Sequence, residues 1–441
     1  MTPPTITHTP DTRHPLEYEA AGATPRPIYK WLVVGMLWFV CFLNYGDRQA
    51  IFAVFPKLQS EFHFTKTQLG LIGSAFMWVY AFGAPMAGYI ADRARRKDLI
   101  LGGCLFWSFV TMMTGWCGKL WHFVTIRALE GFGETFYFPA SMSLISDNHA
   151  PGTRSRALAF HQSSVYVGTI AGSVIAAALA ERYNWRIGFY CFGGAGIVLA
   201  LVLYRFLREP IRGQAEVLRG PAPLEPLSIR ETARILFSKP TVILLMAAFI
   251  GANFVATIFL TWTPIFLVEK FTFNPVKAAL WATAFIQTAS AVGAPLGGVL
   301  ADWLSARHVG GRILVQAGGL LIGSVFVFGF ASTRRVPTLI EMMIFFGLCK
   351  GLYDSNIFAS VYDFIDPRAR SSAAGIMNTV GWSGGAAGPL VIGWFATHGR
   401  YGSEVANMSH AIAWTAGVYI IAAILLTCAA LLYAPRDTID P

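Results

Sequence analysis

The chain has 441 residues, of which 55% are hydrophobic and 13% are charged, and its formal net charge is +10. Soluble globular proteins carry about 25% charged residues, so this composition is unusual for a soluble protein. A basic net charge can indicate a nucleic-acid partner. Here, however, apolar runs of about 20 residues, enough to cross a bilayer, recur along nearly the whole chain. The composition therefore predicts an integral membrane protein that has no nucleic-acid partner.

We predict twelve transmembrane helices and name them spans 1 to 12 in chain order. They cover residues 31–55, 69–91, 99–118, 121–146, 157–180, 187–207, 241–266, 278–302, 313–332, 337–362, 372–396 and 411–433. The predicted fold class is thus an all-α integral membrane protein.

Polar segments divide the twelve spans into two groups of six. Residues 1–30 lack the pattern of a secretory signal and are predicted to form a disordered cytoplasmic tail. The N-terminal six-helix half covers residues 31–207, and the C-terminal six-helix half covers residues 241–433. The basic, proline-rich residues 208–240 are predicted to be a cytoplasmic linker, and residues 434–441 a cytoplasmic tail.

Span 1 contains two adjacent charges, Asp47 and Arg48. Inserting a charged side chain at the middle of the bilayer costs about 2.5–3.5 kcal/mol on insertion scales. Such residues therefore usually face a water-filled interior and have a functional role. Adjacent helical residues diverge by about 100°, so Asp47 and Arg48 need partners on other helices. Arg48 offers a forked, permanently charged donor for a carboxylate or phosphate. Asp47 offers an acid that could take and release a proton.

The loop between spans 2 and 3 carries a Gly-x-x-x-Asp step, Gly88 to Asp92, followed by cations that include Arg93 and Arg96. The same step recurs at the end of span 8 and finishes at Asp302. A repeat of this kind indicates two related halves, which are parallel because each has an even number of spans. We expect these five residues to form a cytoplasmic gate, in which the glycine permits close helix approach.

Span 4 carries Arg127, Glu130 and Glu134 on one face, because they are three and four residues apart. Since span 4 runs antiparallel to span 1, we expect Arg48 to lie near Glu134. Arg127 should then lie near Glu130 or Asp47. Glu130, Glu134 and Asp47 are the candidate proton-coupling groups. The alternative is a static buried ion pair that only joins spans 1 and 4.

Span 10 carries Lys350 and Asp354 at the positions that correspond to Glu130 and Glu134 in the first half. They could neutralise each other across one helical turn, or they could form a second charged part of a central binding site, opposite the charges of spans 1 and 4. Uncharged polar residues lie at similar positions within the spans. They could contact the substrate or form hydrogen bonds between helices. The candidate substrate contacts among them are Tyr45, Tyr80, Gln162 and Asn378.

Positive charge predicts the orientation of the chain in a cell (inner) membrane. With the N-terminus inside, the cytoplasmic segments hold most of the Lys and Arg residues outside the spans, which places both termini in the cytoplasm. The six cysteines form no CxxC pair and predict neither a metal site nor a disulfide. Because no cofactor motif, nucleotide-binding loop or clustered nucleophile is evident, the chain is expected to have no cofactor and not to be an enzyme.

The chain resembles the major facilitator superfamily across all twelve spans. Gly88–Lys97 looks like the superfamily's signature between spans 2 and 3, and Arg127–Gly131 looks like its span 4 signature. The resemblance implies the major facilitator fold and a transporter that moves its substrate by alternating access.

Two branches of that superfamily match. Asn44–Arg48 and Arg127–Glu134 resemble spinster proteins, which are linked to the export of lysolipids and sphingolipids. Gly133–Ala140 and Trp185-Arg186 resemble anion:cation symporters, which carry sugar acids and other organic anions with protons. In both branches, the residues that match Arg48, Asp47 and Glu134 are the usual substrate and proton-coupling groups.

The leading hypothesis is a secondary transporter that moves a small organic anion together with protons and acts as a monomer. The alternative is a spinster-like lysolipid or sphingolipid exporter. A drug:proton antiporter is less favoured, because Gly168–Gly172 of span 5 lacks the Gly-Pro step typical of that group. A membrane enzyme is less favoured as well.

Overall fold

The computed structural model describes residues 28–91, 93–149, 151–210, 228–366 and 369–437. Within these ranges the chain forms helices joined by turns, and no strand is present. The predicted all-α class is therefore confirmed. The N-terminal tail up to residue 27, most of the linker and residues 438–441 lie outside the described residues.

Helices occur at all twelve predicted spans. In the N-terminal half they are Tyr29–Ala53, Lys66–Ala91, Arg96–Thr114, Leu120–Thr135 with Tyr137–Asn148, Pro151–Arg182 and Trp185–Phe206. In the C-terminal half they are Pro240–Phe271, Pro275–Ser305, Gly311–Ser332, Val336–Asp354 with Ile357–Tyr362, Arg370–His398 and Glu404–Cys428. The last of these continues through a π-helical turn, Ala429–Tyr433, into Ala434–Asp437.

Two short helices accompany the spans. Phe55–Phe62 follows span 1 directly. Ile229–Ser238 precedes span 7 and begins with a capping box, in which the Ser228 and Glu231 side chains each bond the other's backbone N–H. This second helix packs against spans 7 and 11.

Eight helices of the described chain are long and apolar enough to cross a membrane by length and composition: spans 2, 5 to 10 and 12. The helices at spans 1, 3, 4 and 11 are more polar. Spans 1 and 4 carry buried charges, span 3 begins with three charged residues, and span 11 is rich in Gly and Ser. Charged residues inside a bilayer normally face the protein interior, so the faces of spans 1 and 4 that carry buried charges are expected to line it.

The pairing of helices repeats between the halves. In the first half, span 1 packs on 5, span 2 on 4, and span 3 on 4 and 6. In the second half, span 7 packs on 11, span 8 on 10, and span 9 on 10 and 12. Between the halves, span 2 packs on 11 and span 5 on 8. Adding six to each span number converts one set into the other, as expected for two repeats related by a two-fold axis.

Spans 4 and 10 break at corresponding places, with different causes. Span 4 breaks at Phe136, where Pro139 lacks the N–H that would bond the Thr135 carbonyl four residues earlier. Span 10 breaks after Asp354, where the Asn356 side chain donates to the carbonyls of Leu352 and Gly297. Both breaks directly follow the acidic residues that the sequence marked as candidates, so they set those acids at equivalent depths.

The helical bundle has two faces, which we call the terminal face and the distal face. The terminal face carries residues 28 and 437 and the turn 93–95, and the distal face carries the turns 63–65 and 272–274. Toward the distal face the two halves are hydrogen-bonded to each other. The Thr67 hydroxyl lies 3.1 Å from that of Thr397, and Gln49 Nε2 donates to the Leu260 carbonyl at 2.9 Å. The halves are therefore closed against each other at the distal face.

Candidate functional site

Arg48 and Glu134 form a buried ion pair between spans 1 and 4. Arg48 Nε and Nη2 both donate to Glu134 Oε2, at 3.0 and 2.5 Å, and Nη2 also lies 3.4 Å from Asn44 Oδ1. Arg48 is 7% exposed and Glu134 is 1% exposed. The structure thus contains the contact that antiparallel packing of spans 1 and 4 led us to expect.

Aromatic rings surround the Arg48 guanidinium. Its Cζ atom lies 4.6 Å from the ring centre of Tyr45, 4.7 Å from that of Phe76 and 5.0 Å from that of Tyr80. Trp382 of span 11 approaches from the other half at 5.9 Å and packs edge-on against Tyr80. A guanidinium over aromatic faces gains cation–π attraction, which is stronger when the group is desolvated. Rings from both halves therefore position this cation.

A second buried ion pair, Arg127–Glu130, lies beside the Arg48–Glu134 pair. Arg127 Nη1 donates to Glu130 Oε2 at 2.6 Å. The Thr111 hydroxyl of span 3 lies 3.3 Å from Asp47 Oδ2 and 3.3 Å from Glu130 Oε1. Asp47 Oδ1 accepts the backbone N–H of Arg48 at 2.8 Å. We call Asp47, Arg48, Thr111, Arg127, Glu130 and Glu134 the charged cluster, and all six of its residues are buried.

Several polar atoms of the charged cluster have no hydrogen-bond partner among the described residues. They are Arg48 Nη1, Glu134 Oε1, and Nε and Nη2 of Arg127. An unpaired donor on Arg48 and an unpaired acceptor on Glu134 are the groups that could bind a carboxylate, a phosphate or a hydroxyl of a ligand. Unsatisfied buried polar groups are uncommon in folded proteins and often mark functional sites.

Lys350 and Asp354 form an ion pair with each other. The side chain of Asp354 is 41% exposed, so the pair is more accessible than the charged cluster. Tyr166 of span 5 lies close enough to interact electrostatically with both residues. The pair therefore lies near the interface between the halves, at the position related by the repeat to Glu130 and Glu134.

The other residues predicted to contact substrate are placed differently. Tyr45 and Tyr80 stack on Arg48, as described above. Gln162 is exposed on span 5, and Asn378 is half-buried on span 11; neither is hydrogen-bonded to Arg48. Trp382, Phe76 and Thr111 were not singled out from the sequence, because aromatic and hydroxyl side chains are common in apolar spans and carry no charge that demands a partner.

In this structure the predicted gate residues contact their own half or, for Arg96, also the first residues of the linker. Arg93 stacks on Tyr89 and donates to its carbonyl. Arg96 forms ion pairs with Asp147 and Glu209. Asp302 pairs with Arg312, and Asp92 lies outside the described residues.

Gly88 does not make the close helix contact that we expected. A Cβ atom added at this glycine would meet no atom within 4 Å. The expectation of a close approach at Gly88 is therefore wrong for the conformation observed. Its physical reason is that the halves meet toward the distal face, whereas Gly88 lies toward the terminal face.

Two six-helix repeats with buried charges near their interface are the architecture of secondary transporters. The profile of the Major Facilitator Superfamily matches residues 37–389 and 288–441. The chain therefore belongs to this superfamily of transporters and has its twelve-helix fold.

The relatives include an ascorbate transporter and spinster proteins. The chain is 28% identical to the chloroplastic ascorbate transporter of Arabidopsis thaliana, over 84% of this chain and 71% of that protein. It is 31% identical to human protein spinster homolog 1, over 54% of this chain and 46% of that protein. The chain thus spans less than half the length of the human relative.

A crystal structure with the same fold comes from a bacterial homologue of the human lysosomal transporter spinster, in an inward-facing and unoccupied conformation. It superposes with a TM-score of 0.77, covers 94% of this chain and all of its own, and has 22% sequence identity.

Proposed function

We propose that the protein is a secondary active transporter that moves a small organic anion together with protons by alternating access. The observation that carries this proposal is Arg48, which is buried between the two halves and whose donor Nη1 has no partner among the described residues. A second support is the similarity to an ascorbate transporter and, at 28% identity, to probable anion transporter 4 of Oryza sativa subsp. japonica.

The exchange of partners at Arg48 couples the two ligands. A guanidinium remains charged at any physiological pH, and leaving it buried without an anion is costly. Arg48 therefore pairs either with Glu134 or with the carboxylate of the substrate. A proton bound to Glu134 weakens the first pairing and favours the second. Loss of that proton restores the ion pair and releases the substrate.

The distribution of Lys and Arg residues supports one orientation of the protein in the membrane. We propose that the terminal face is cytoplasmic, that both termini lie there and that the protein is a monomer in the cell (inner) membrane. The distal closure seen here then corresponds to an inward-facing state. In the outward-facing state, the gate residues Gly88, Asp92, Arg93, Arg96 and Asp302 would hold the terminal face closed.

A spinster-like exporter of lysolipids or sphingolipids is the second candidate. The rings of Tyr45, Phe76, Tyr80 and Trp382 around Arg48 favour it, since they could pack against an acyl chain while Arg48 binds the head-group phosphate. The two candidates share the cation and differ in the apolar part of the ligand.

The test is uptake into proteoliposomes with an imposed proton gradient. We expect the purified protein to accumulate a sugar acid such as ascorbate, and Arg48→Ala to abolish this uptake while leaving the protein folded. Arg182→Ala is the matched control, because Arg182 is an exposed arginine at the end of span 5. It should transport like the unmodified protein.

Two outcomes contradict the proposal. Full uptake by Arg48→Ala would remove Arg48 from the substrate site. Stabilisation of the protein against heat by lysolipids, with no uptake of any organic anion, would support the spinster-like candidate instead.

A further inference from the structure

Thr111 contacts two carboxylates with one hydroxyl. Its Oγ1 atom lies 3.3 Å from Asp47 Oδ2 and 3.3 Å from Glu130 Oε1. A hydroxyl group has a single proton to donate, and an ionised carboxylate can only accept. If both acids were ionised, one of these contacts would bring two oxygen acceptors together. The geometry is satisfied at both contacts when one of the two acids carries a proton.

The charge balance of the cluster requires the same proton. Asp47, Glu130 and Glu134 supply three acidic groups whose oxygens lie within 4.8 Å of one another, and Arg48 and Arg127 supply two permanent positive charges. With all acids ionised, the cluster would carry one uncompensated negative charge. An uncompensated buried charge costs several kcal/mol, and one proton removes it.

The contacts indicate which acids share that proton. Glu134 accepts two bonds from Arg48, and Glu130 accepts one from Arg127. Among the described residues, Asp47 has no hydrogen bond or ion pair to a guanidinium and accepts only from the Arg48 backbone N–H and from Thr111. The other ionisable groups that interact electrostatically with Asp47 are Glu130, Glu134 and Arg127 of span 4 and the buried thiol of Cys104 on span 3. Asp47 is therefore the acid with the least compensation for a negative charge.

We propose that Asp47 and Glu130 share one proton through the hydroxyl of Thr111, and that Thr111 is the residue that positions this proton. The inference rests on the proposed function in assigning the shared proton to transport. This shared proton is additional to the one that Glu134 takes up when Arg48 exchanges Glu134 for the anion.

The hydrogen-bond chain conserves its protons. With Asp47 protonated, its O–H donates to Thr111 Oγ1, and the Thr111 O–H donates to the Glu130 carboxylate. When Thr111 receives the Asp47 proton and passes its own to Glu130, the proton has moved to span 4 and no charge has left the cluster. Thr111 thereby links the acid of span 1 to the ion pair of span 4.

The test is infrared spectroscopy of the purified protein, which detects the C=O stretch of a protonated carboxyl group and needs no substrate. We expect one such band at neutral pH, lost in Asp47→Asn. Thr111→Val removes two hydrogen bonds from the protonated state and one from the ionised state. The pH midpoint of the band should therefore fall by about one unit, the equivalent of about 1.4 kcal/mol.

Thr111→Ser keeps the hydroxyl and should restore the band and its midpoint. Thr135→Val is the matched control, because within the described chain the buried Thr135 hydroxyl bonds only the Gly131 carbonyl of its own helix. Thr111→Ala replaces Thr111→Val if the valine variant does not fold.

The two proposals fail separately. A band that is absent, or that is identical in the valine, alanine and serine variants, overturns the shared proton even if anion uptake is proton-coupled. A band that responds as expected in a protein without anion uptake supports the shared proton and contradicts the proposed transport.

Discussion

At the scale of single residues, the two buried arginines have different surroundings. Arg127 is held by Glu130 three residues away on the same helix. Arg48 is held by Glu134 on a different helix and by aromatic rings from both halves. An ion pair within one helix survives any movement of helices. In the proposed mechanism, the pair between spans 1 and 4 is the one that the substrate anion and a proton break.

Replacing Glu134 by glutamine tests its role in coupling. Glu134→Gln keeps a hydrogen-bond acceptor near Arg48 but cannot bind or release a proton. We expect accumulation of the anion driven by a pH gradient to be lost, while exchange of labelled for unlabelled anion across the membrane continues. Both are measured in the same proteoliposomes.

The control for this variant is Glu341→Gln, which changes an exposed acid near one end of span 10. It should retain both activities. Retained pH-driven accumulation in Glu134→Gln would place the coupling proton elsewhere, and loss of exchange as well would assign Glu134 to binding of the anion.

At the scale of helices, spans 1 and 5 approach each other through glycine. A Cβ atom added to Gly172 would overlap the backbone of Gly46, and one added to Gly168 would overlap the Phe42 carbonyl. Small residues of this kind allow the backbones of membrane helices to pack closely. The position of span 1, and with it that of Arg48, depends on this contact.

Gly172→Ala should therefore lower the thermal stability of the detergent-solubilised protein. The added methyl group must push span 1 from span 5, and overpacking of a core typically costs about 1–3 kcal/mol. Gly35→Ala, in span 1 where a Cβ meets no atom within 4 Å, is the control. It should leave the melting temperature unchanged or raise it, since alanine favours a helix over glycine. Equal melting temperatures for the two variants would contradict this packing argument.

The sequence predicted that spans 1 and 4 form the charged cluster, but it did not predict every residue that belongs to the cluster or contacts it. Charged residues in apolar spans require partners, and the antiparallel order of spans 1 and 4 left few partners for Arg48, so its contact with Glu134 was predictable. Thr111 and Trp382 are uncharged, and their contacts depend on how spans 3 and 11 are rotated about their axes. The break of span 4 was not predicted either, although Pro139 carried its cause.

At the scale of the whole molecule, an ion pair with one fully buried partner joins the two halves at the distal face of the described chain. Lys66, at the start of span 2, is fully buried and pairs with Glu269 near the end of span 7. Its ammonium group also donates to Gln59 Oε1 at 2.8 Å. Because the two charges belong to different halves, opening of the distal face must separate them.

Lys66→Met should shift the protein toward the distal-open state. Removing one partner of a fully buried ion pair typically costs about 3–5 kcal/mol, because the other charge is left uncompensated, and the cost is smaller here because the Glu269 side chain is 24% exposed. Opening would expose Glu269 to water and relieve that cost, so the ratio of open to closed molecules should rise by roughly a hundredfold. Spin labels at the exposed distal positions Lys119 and Arg334, in a background without native cysteines, measure the distance between the halves.

The matched control breaks an ion pair on the same face that lies within one half. Arg186 pairs with Glu61 at 2.7 Å, and this bond lowers the pKa of the Glu61 carboxyl. Arg186→Met should leave the distance distribution unchanged, because spans 1 and 6 move together. If Lys66→Met and Arg186→Met give the same closed distribution, the other bonds between the halves, such as Thr67 to Thr397, are sufficient to hold the distal face shut. A longer distance in Lys66→Met alone would identify the Lys66–Glu269 pair as the contact that must break before the distal face opens.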